Sequence, residues 1–231
     1  MPKIVDLTKK YGYKSVFDSF SIEFPAGVVT CVLGKSGVGK STLLNCIAGL
    51  TDYTGTIEGF GRVAYVFQEH RLIPFMTVEE NLKYVLAGTL SGPAAVNAAI
   101  DEVLSKTRLL PLKNRVADSL SGGEKQRVAL ARAFAYPADT ILMDEPFNSL
   151  DLALKKDIMQ DFKTYYGAFN KTCVFVTHSV DEALFLGNKI IYLDGASYKS
   201  FDNPTPSKTF GFEENVTLRQ ALYSTVFSSE E

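Results

Sequence analysis

An apolar run, Val28-Val29-Thr30-Cys31-Val32-Leu33, feeds directly into Gly34-Lys35-Ser36-Gly37-Val38-Gly39-Lys40-Ser41, and this junction constrains the chain more than any other stretch. The run is short and nearly continuous, as a strand buried on both faces should be. The segment after it has P-loop spacing. Gly34 and Gly39 let the backbone turn sharply, so that successive N–H groups face an anion. Lys40 supplies a cation for outer phosphates, and the Ser41 hydroxyl can ligate magnesium. Gly34, Ser36, Gly37, Val38, Gly39, Lys40, Ser41 and Thr42 together form the expected phosphate cradle. Leu43, Leu44, Ile47 and Leu50 then recur at helical spacing, which gives strand, loop and helix in the order the chemistry needs. Alone, the motif implies a nucleoside triphosphate and no particular activity.

A second anion-binding element follows at Leu120-Ser121-Gly122-Gly123-Glu124-Lys125-Gln126-Arg127. A serine and two glycines open a long helical pattern there, which presents another helix N-terminus. Thr140-Ile141-Leu142-Met143 and Cys173-Val174-Phe175-Val176 read as further buried strands, with Ile190-Ile191-Tyr192-Leu193 as the expected edge. Between them, Leu154, Ile158, Phe162 and Tyr165 share one helical face. Strands alternating with helices imply an α/β core with a parallel sheet. Asp144 and Glu145 end one strand, where open parallel sheets place their ligands.

Other stretches read differently. Tyr11-Gly12-Tyr13 and Ser21-Ile22-Glu23-Phe24, before Pro25-Ala26-Gly27, suggest an N-terminal antiparallel β region. From about 71 to 119 the pattern is helical. Thr77 and Glu80 make a capping box, Asp101 to Leu110 reads as a helix, and Gly88, Gly92 and Pro93 break the segment. The expected organisation is a single domain over 1–231. Its core is about 1–70 and 120–195, its inserted helical subdomain about 71–119, and its tail about 196–231, with one terminal helix near Val216 to Val226.

In this order and spacing the elements resemble the ATP-binding-cassette (ABC) ATPases, from about Tyr11 to about Leu193. The resemblance implies ATP and Mg2+ as ligands and a role for each matching residue. Asp144 holds the metal with Ser41, and Glu145 polarises the attacking water. Gln68, in Val66-Phe67-Gln68-Glu69, touches metal or water and links the core to the helical subdomain. His178 donates to the γ-phosphate, and Lys40 neutralises it. Asn148-Ser149-Leu150-Asp151 matches the loop that crosses a dimer interface, and Tyr11 stacks on adenine with Tyr13 as rival. Ser121, Gly122 and Gly123 then serve the nucleotide of a second copy, so an ATP-bound homodimer sandwiches two ATP. The chain departs from the family in a shortened stretch between Thr54 and Tyr65, and in Ser179 where an aspartate is common.

Among ABC ATPases the resemblance points to the ATP-hydrolysing subunit of a membrane transporter. Leu72-Ile73-Pro74-Phe75-Met76-Thr77-Val78-Glu79-Glu80-Asn81 is similar to the nitrate/sulfonate/taurine-type importer group, as are Asp144-Glu145-Pro146-Phe147 and Val180-Asp181-Glu182-Ala183-Leu184. The implied cargo is a small solute such as a sulfonate, nitrate or thiamine precursor. The implied partners are a separate transmembrane permease and, through it, a substrate-binding protein. Leu72, Ile73, Pro74, Phe75 and Met76 are either the lining of a permease groove or subdomain packing. A soluble non-transport ABC ATPase is the alternative, but it calls for long coiled-coil insertions or a paired cassette, absent here. An exporter-type subunit is the other. Lys+Arg 24 against Asp+Glu 26 offers no electrostatic case for nucleic acid. The chain has no apolar run of bilayer length and no N-terminal h-region. Cys31, Cys46 and Cys173 read as buried thiols of a reducing compartment. The expected location is cytoplasmic, peripheral on the inner face of the cell membrane.

Overall fold

The computed structural model describes residues 1–148, 150–169, 171–195, 197–208, 210 and 215–228. It opens with a hairpin in which β1 (Lys3–Tyr11) pairs antiparallel with β2 (Lys14–Glu23). Gly12 at φ 56° takes the left-handed conformation that the tight turn requires. The apolar run becomes β3 (Val29–Leu33), fully buried, and the helix after the loop is α1 (Lys40–Ile47). β4 (Thr54–Glu58) pairs with the free side of β1, which completes the sheet β2-β1-β4. β5 (Val63–Val66) then enters a second sheet.

The middle of the chain is helical. α2 (Val78–Leu86) starts at the expected capping box: Thr77 Oγ1 accepts from the Glu80 N–H at 3.1 Å, and the Thr77 N–H donates to Glu80 Oε2 at 2.7 Å. α3 runs Pro93–Lys106, so the expected helix over Asp101 to Leu110 begins earlier and ends earlier. Pro93 lies in the first turn, where a missing N–H costs nothing, so it starts this helix rather than breaking it. α4 (Gly122–Ala135) packs against both α2 and α3.

β6 (Thr140–Asp144), α5 (Leu152–Phe169), β7 (Thr172–Thr177), α6 (Val180–Leu186) and β8 (Lys189–Asp194) complete the α/β alternation. The second sheet has the order β5-β6-β7-β3-β8-β9 and is parallel up to β8. The expectation that Ile190 to Leu193 forms the edge is corrected by β9 (Ser197–Asp202), which pairs antiparallel with β8. β9 is mostly polar and exposed, so it carries no apolar signal for a sequence reading to find. The last element among the described residues is α7 (Val216–Ser228).

The continuous apolar strands have a simple cause. Cys31, Leu33, Met143 and Phe175 face the layer that holds α4, α5 and α6, while Val32, Leu142, Val174 and Ile191 face α1 and the hairpin sheet. Both strand faces are therefore core, and alternation disappears. The three cysteines are buried, and burial pushes their thiols up, that of Cys46 to about 11.

Candidate functional site

The loop after β3 is shaped by the absence of side chains. A Cβ on Gly34 would lie 2.8 Å from the Leu193 carbonyl oxygen and 2.9 Å from Val38 Cγ1. Gly39 sits at φ 116°, and a Cβ there would lie 2.7 Å from Val16 Cγ1. Gly39 is also the residue before α1, whose N-terminus has no side-chain cap and no acidic residue in its first turn. Its backbone N–H groups are thus left for an external anion. Lys40 is buried, and its Nζ donates to the carbonyls of Gly34 at 2.8 Å and Lys35 at 2.9 Å. Burial lowers its pKa below the usual lysine range, and nearby Glu145 and Asp144 offset part of this. The loop thus fixes a buried cation, an arrangement that gains from an arriving phosphate.

Opposite the lysine stand the two carboxylates at the end of β6. Asp144 Oδ1 accepts from the Ser41 hydroxyl at 2.8 Å, and Oδ2 from the Tyr65 hydroxyl at 3.3 Å. Burial raises the Asp144 carboxyl above the usual range. A hydroxyl and a carboxylate are hard oxygen donors. Among the described residues no group of three or more His, Cys, Asp or Glu could hold a metal by itself. Few protein ligands, all oxygen, is the donor set that fits Mg2+ shared with phosphates. Glu145 takes φ 43°, uncommon for a residue with a Cβ, and its N–H donates to the Val176 carbonyl at 3.1 Å. Its Oε2 accepts from Asn148 Nδ2 at 2.8 Å and lies 3.6 Å from His178 Nδ1, while its Oε1 lies 4.0 Å from Lys40 Nζ.

A cleft of about 520 Å³ joins these groups. Tyr11, Ser36, Gly37, Gly39, Lys40, Ser41, Thr42, Gln68 and Glu145 line it, with Asn148 of the expected interface loop and with Lys14 and Val16, which the sequence did not single out. Lys14 follows the hairpin turn, and only the fold of β1 and β2 carries it there. Tyr11 lines the cleft with its ring half exposed, and Lys9 Nζ lies 4.4 Å from the ring centroid. Tyr13 points into solvent and does not line it. A larger cleft of about 580 Å³ lies between the hairpin and β8–β9, but it holds none of these groups. Converging chemistry, not size, marks the candidate site.

Several expected residues lie outside the cleft lining. Gly34 and Val38 pack together and shape the loop. Asp144 reaches the cleft through its bond to Ser41. His178 stands beside Glu145 with its side chain 56% exposed. Asp151 accepts from the Leu154 N–H at 3.0 Å and so caps α5; Ser149 lies outside the described residues. Ser121 caps α4: its Oγ accepts from the Glu124 N–H at 3.3 Å, and Glu124 Oε2 accepts from the Ser121 N–H at 2.7 Å. The S-x-x-E spacing of that capping box was legible in the sequence, which had suggested only anion binding. A separate cavity of about 180 Å³ is lined by His70, Arg71, Leu72, Pro74, Ala117, Asp118 and Lys125. Of the five apolar residues expected at a groove, Leu72 and Pro74 line this cavity, whereas Ile73 and Met76 do not. Phe75 is 76% exposed, so it is not core packing.

Comparison with known proteins gives consistent results. A family model described as "ABC transporter" matches residues 17–148, more than half of the chain. The sulfate/thiosulfate import ATP-binding protein CysA of Synechocystis sp. is 32% identical over 94% of this chain and 67% of its own length. The protein of the same name from Escherichia coli K12 is 34% identical over 87% of this chain, which spans 60% of that relative. The solved dimeric structure of MJ0796, a bacterial ABC transporter cassette, superposes with TM-score 0.76 at 30% identity, covering 88% of this chain and 99% of that one.

Proposed function

Because the chain belongs to the ABC transporter family, we propose that it binds and hydrolyses ATP as the ATP-binding subunit of a membrane importer. The observation that carries this reading is the convergence of Lys40, Ser41, Gln68 and Glu145 on one cleft, with Asp144 bonded to Ser41. Tyr11 stacks on the adenine. The N–H groups of the loop and of the first turn of α1 cradle the phosphates, and Lys40 neutralises the outermost one. Ser41, Asp144 and Gln68 would hold Mg2+, which when bound supplies charge neutralisation on the phosphate oxygens. Glu145 accepts a proton from the attacking water at its carboxylate, which the Asn148 amide holds in place. His178 donates to the γ-phosphate.

Ser121, Gly122, Gly123 and Asp151 lie outside this chain's own cleft lining, which supports a role toward the cleft of a second copy. Two copies would then close over two ATP, and hydrolysis would open them. Residues 71–119 serve as the helical subdomain. The cavity lined by Leu72 and Pro74, next in sequence to exposed Phe75, is the docking place for a separate permease, through which a substrate-binding protein is served. No described helix is long and apolar enough to cross a membrane, which fits a subunit docked on the inner face. The relatives import sulfate or thiosulfate. With the sequence's likeness to the nitrate/sulfonate/taurine group, a small anionic solute is the proposed cargo, read by the other subunits.

Two variants test the reading. Lys40→Ala should lose both ATP binding and turnover; retained binding would overturn the site. Phe75→Glu should keep fold, ATP binding and basal turnover but no longer co-purify with the permease encoded beside it. Undiminished co-purification would remove the docking site.

A further inference from the structure

His178 is followed directly by Ser179, the residue that caps α6, so the seat of α6 decides where the histidine points. One set of bonds holds the start of α6 to the core. Thr177 Oγ1 donates to Glu182 Oε2 at 2.6 Å and accepts from the Ser179 N–H at 3.0 Å. Glu182, 3% exposed, also accepts from Lys155 Nζ on α5 at 2.8 Å.

The rest of the seat comes from the tail. Asn203, 1% exposed, donates from Nδ2 to the carbonyls of Leu184 at 3.0 Å and Gly187 at 2.7 Å, closing the C-terminal end of α6. The Ser207 N–H donates to the same Leu184 carbonyl at 3.0 Å. Beyond the stretch 211–214, Leu222 of α7 is fully buried in the main core, and Arg219 of α7 is paired with Asp181 in the first turn of α6. The tail therefore grips α6 at both ends, and its charged contact falls three residues after His178.

We propose that Asn203, Ser207 and α7 brace the helix that follows His178, and that Arg219, acting through Asp181, is a positioning residue for hydrolysis. The proposal rests on the reading of His178 as a γ-phosphate contact. The ion pair is 18% and 34% exposed, so bulk water and salt screen it less than a surface pair. Its loss removes the tail's share of the hold on the first turn of α6, which loosens the 3.6 Å approach of His178 to Glu145 while the Thr177, Ser179 and Lys155 contacts remain. A tail that only ended the chain would leave that approach untouched.

The test uses the full chain. Arg219→Met keeps the aliphatic stem and removes the charge, and Asp181→Asn removes the other partner. Each should lower kcat roughly three- to ten-fold with KM for ATP unchanged. The double variant should be no slower than either single one, as expected for partners in one interaction. In a His178→Ala background, Arg219→Met should have no further effect. By hydrogen exchange, the amides of α6 should open faster in Arg219→Met, while those of α1 should not change. Unchanged protection of α6, or a full further loss of rate in the His178→Ala background, overturns the brace. His178→Ala with undiminished turnover overturns the reading of the histidine instead, and the exchange result still judges the brace. Should Arg219→Met fail to fold, Asp181→Asn carries the same readouts.

Discussion

Two helix N-termini in this molecule are built in opposite ways. α1 opens at Gly39 with no side-chain cap and no acidic residue, whereas α4 opens with the reciprocal Ser121–Glu124 box. Hydrogen bonding by the Ser121 backbone holds the Glu124 carboxyl below the usual range, so the box stays charged and closed at neutral pH. An uncapped helix end costs free energy unless a ligand satisfies it. The difference teaches how the labour is divided. The α1 end has its lysine and carboxylates beside it, and under the proposed reading it is completed by a ligand bound to the same chain. The residues that open α4 line no part of that cleft, and under the proposed reading this end meets a phosphate only when a second copy closes. Until then it must satisfy itself.

The largest expected effect lies on the α1 side. Glu145→Gln should lower turnover about 10²- to 10⁴-fold, the usual worth of a general base, with ATP affinity unchanged. Wild-type turnover would remove Glu145 from the mechanism. On the α4 side, Ser121→Arg should lower turnover on the order of 10²-fold, because a bulky cation replaces a preorganised donor. ATP binding by the separate chain should be unaffected; a matching loss of binding would mean Ser121 acts within its own chain and would erase the contrast.

A glycine pair sharpens it further. Gly39→Ala should weaken ATP binding at least about ten-fold, since the left-handed backbone and Val16 both oppose a Cβ. A Cβ on Gly122 meets nothing within 4 Å. Gly122→Ala should therefore leave fold and ATP binding intact, and any loss of turnover would come from the second copy. The smallest effect is thermal. Ser121→Ala removes a cap worth about 1 kcal/mol, which lowers Tm by about 2–4 °C in a chain of this size. An unchanged Tm would mean the box does not hold α4 in solution.

Much of this was legible before any coordinates. The apolar runs that became β3, β6 and β7 announced a sheet covered on both faces, and Thr77 with Glu80 announced the start of α2. Pro93 misled because a proline reads alike at the start and in the middle of a helix until its neighbours are placed. β9 was silent because an edge strand needs only backbone partners and offers no apolar face. Lys14 and Tyr65 were missed because nothing in their own neighbourhoods distinguishes them. Only the pairing of β1 with β2, and of β5 with β6, carries them to the cleft and to Asp144.

What the sequence determined by itself was local: which residues turn, cap, cradle an anion or end a strand in carboxylates. Those properties depend on spacings of a few residues, where backbone geometry leaves few alternatives. Tertiary structure decided which of them meet. Ser41 and Asp144 stand 103 residues apart in the chain and 2.8 Å apart in space. Glu145 faces Lys40 and His178 because β7 lies between β6 and β3, and because its own backbone adopts a conformation that no spacing predicts. The grip of the tail on α6 was likewise invisible, since a lone Arg219 and a lone Asp181 carry no meaning until two helices are packed. Long-range pairings arise from the cooperative burial of whole faces, and single residues do not record them.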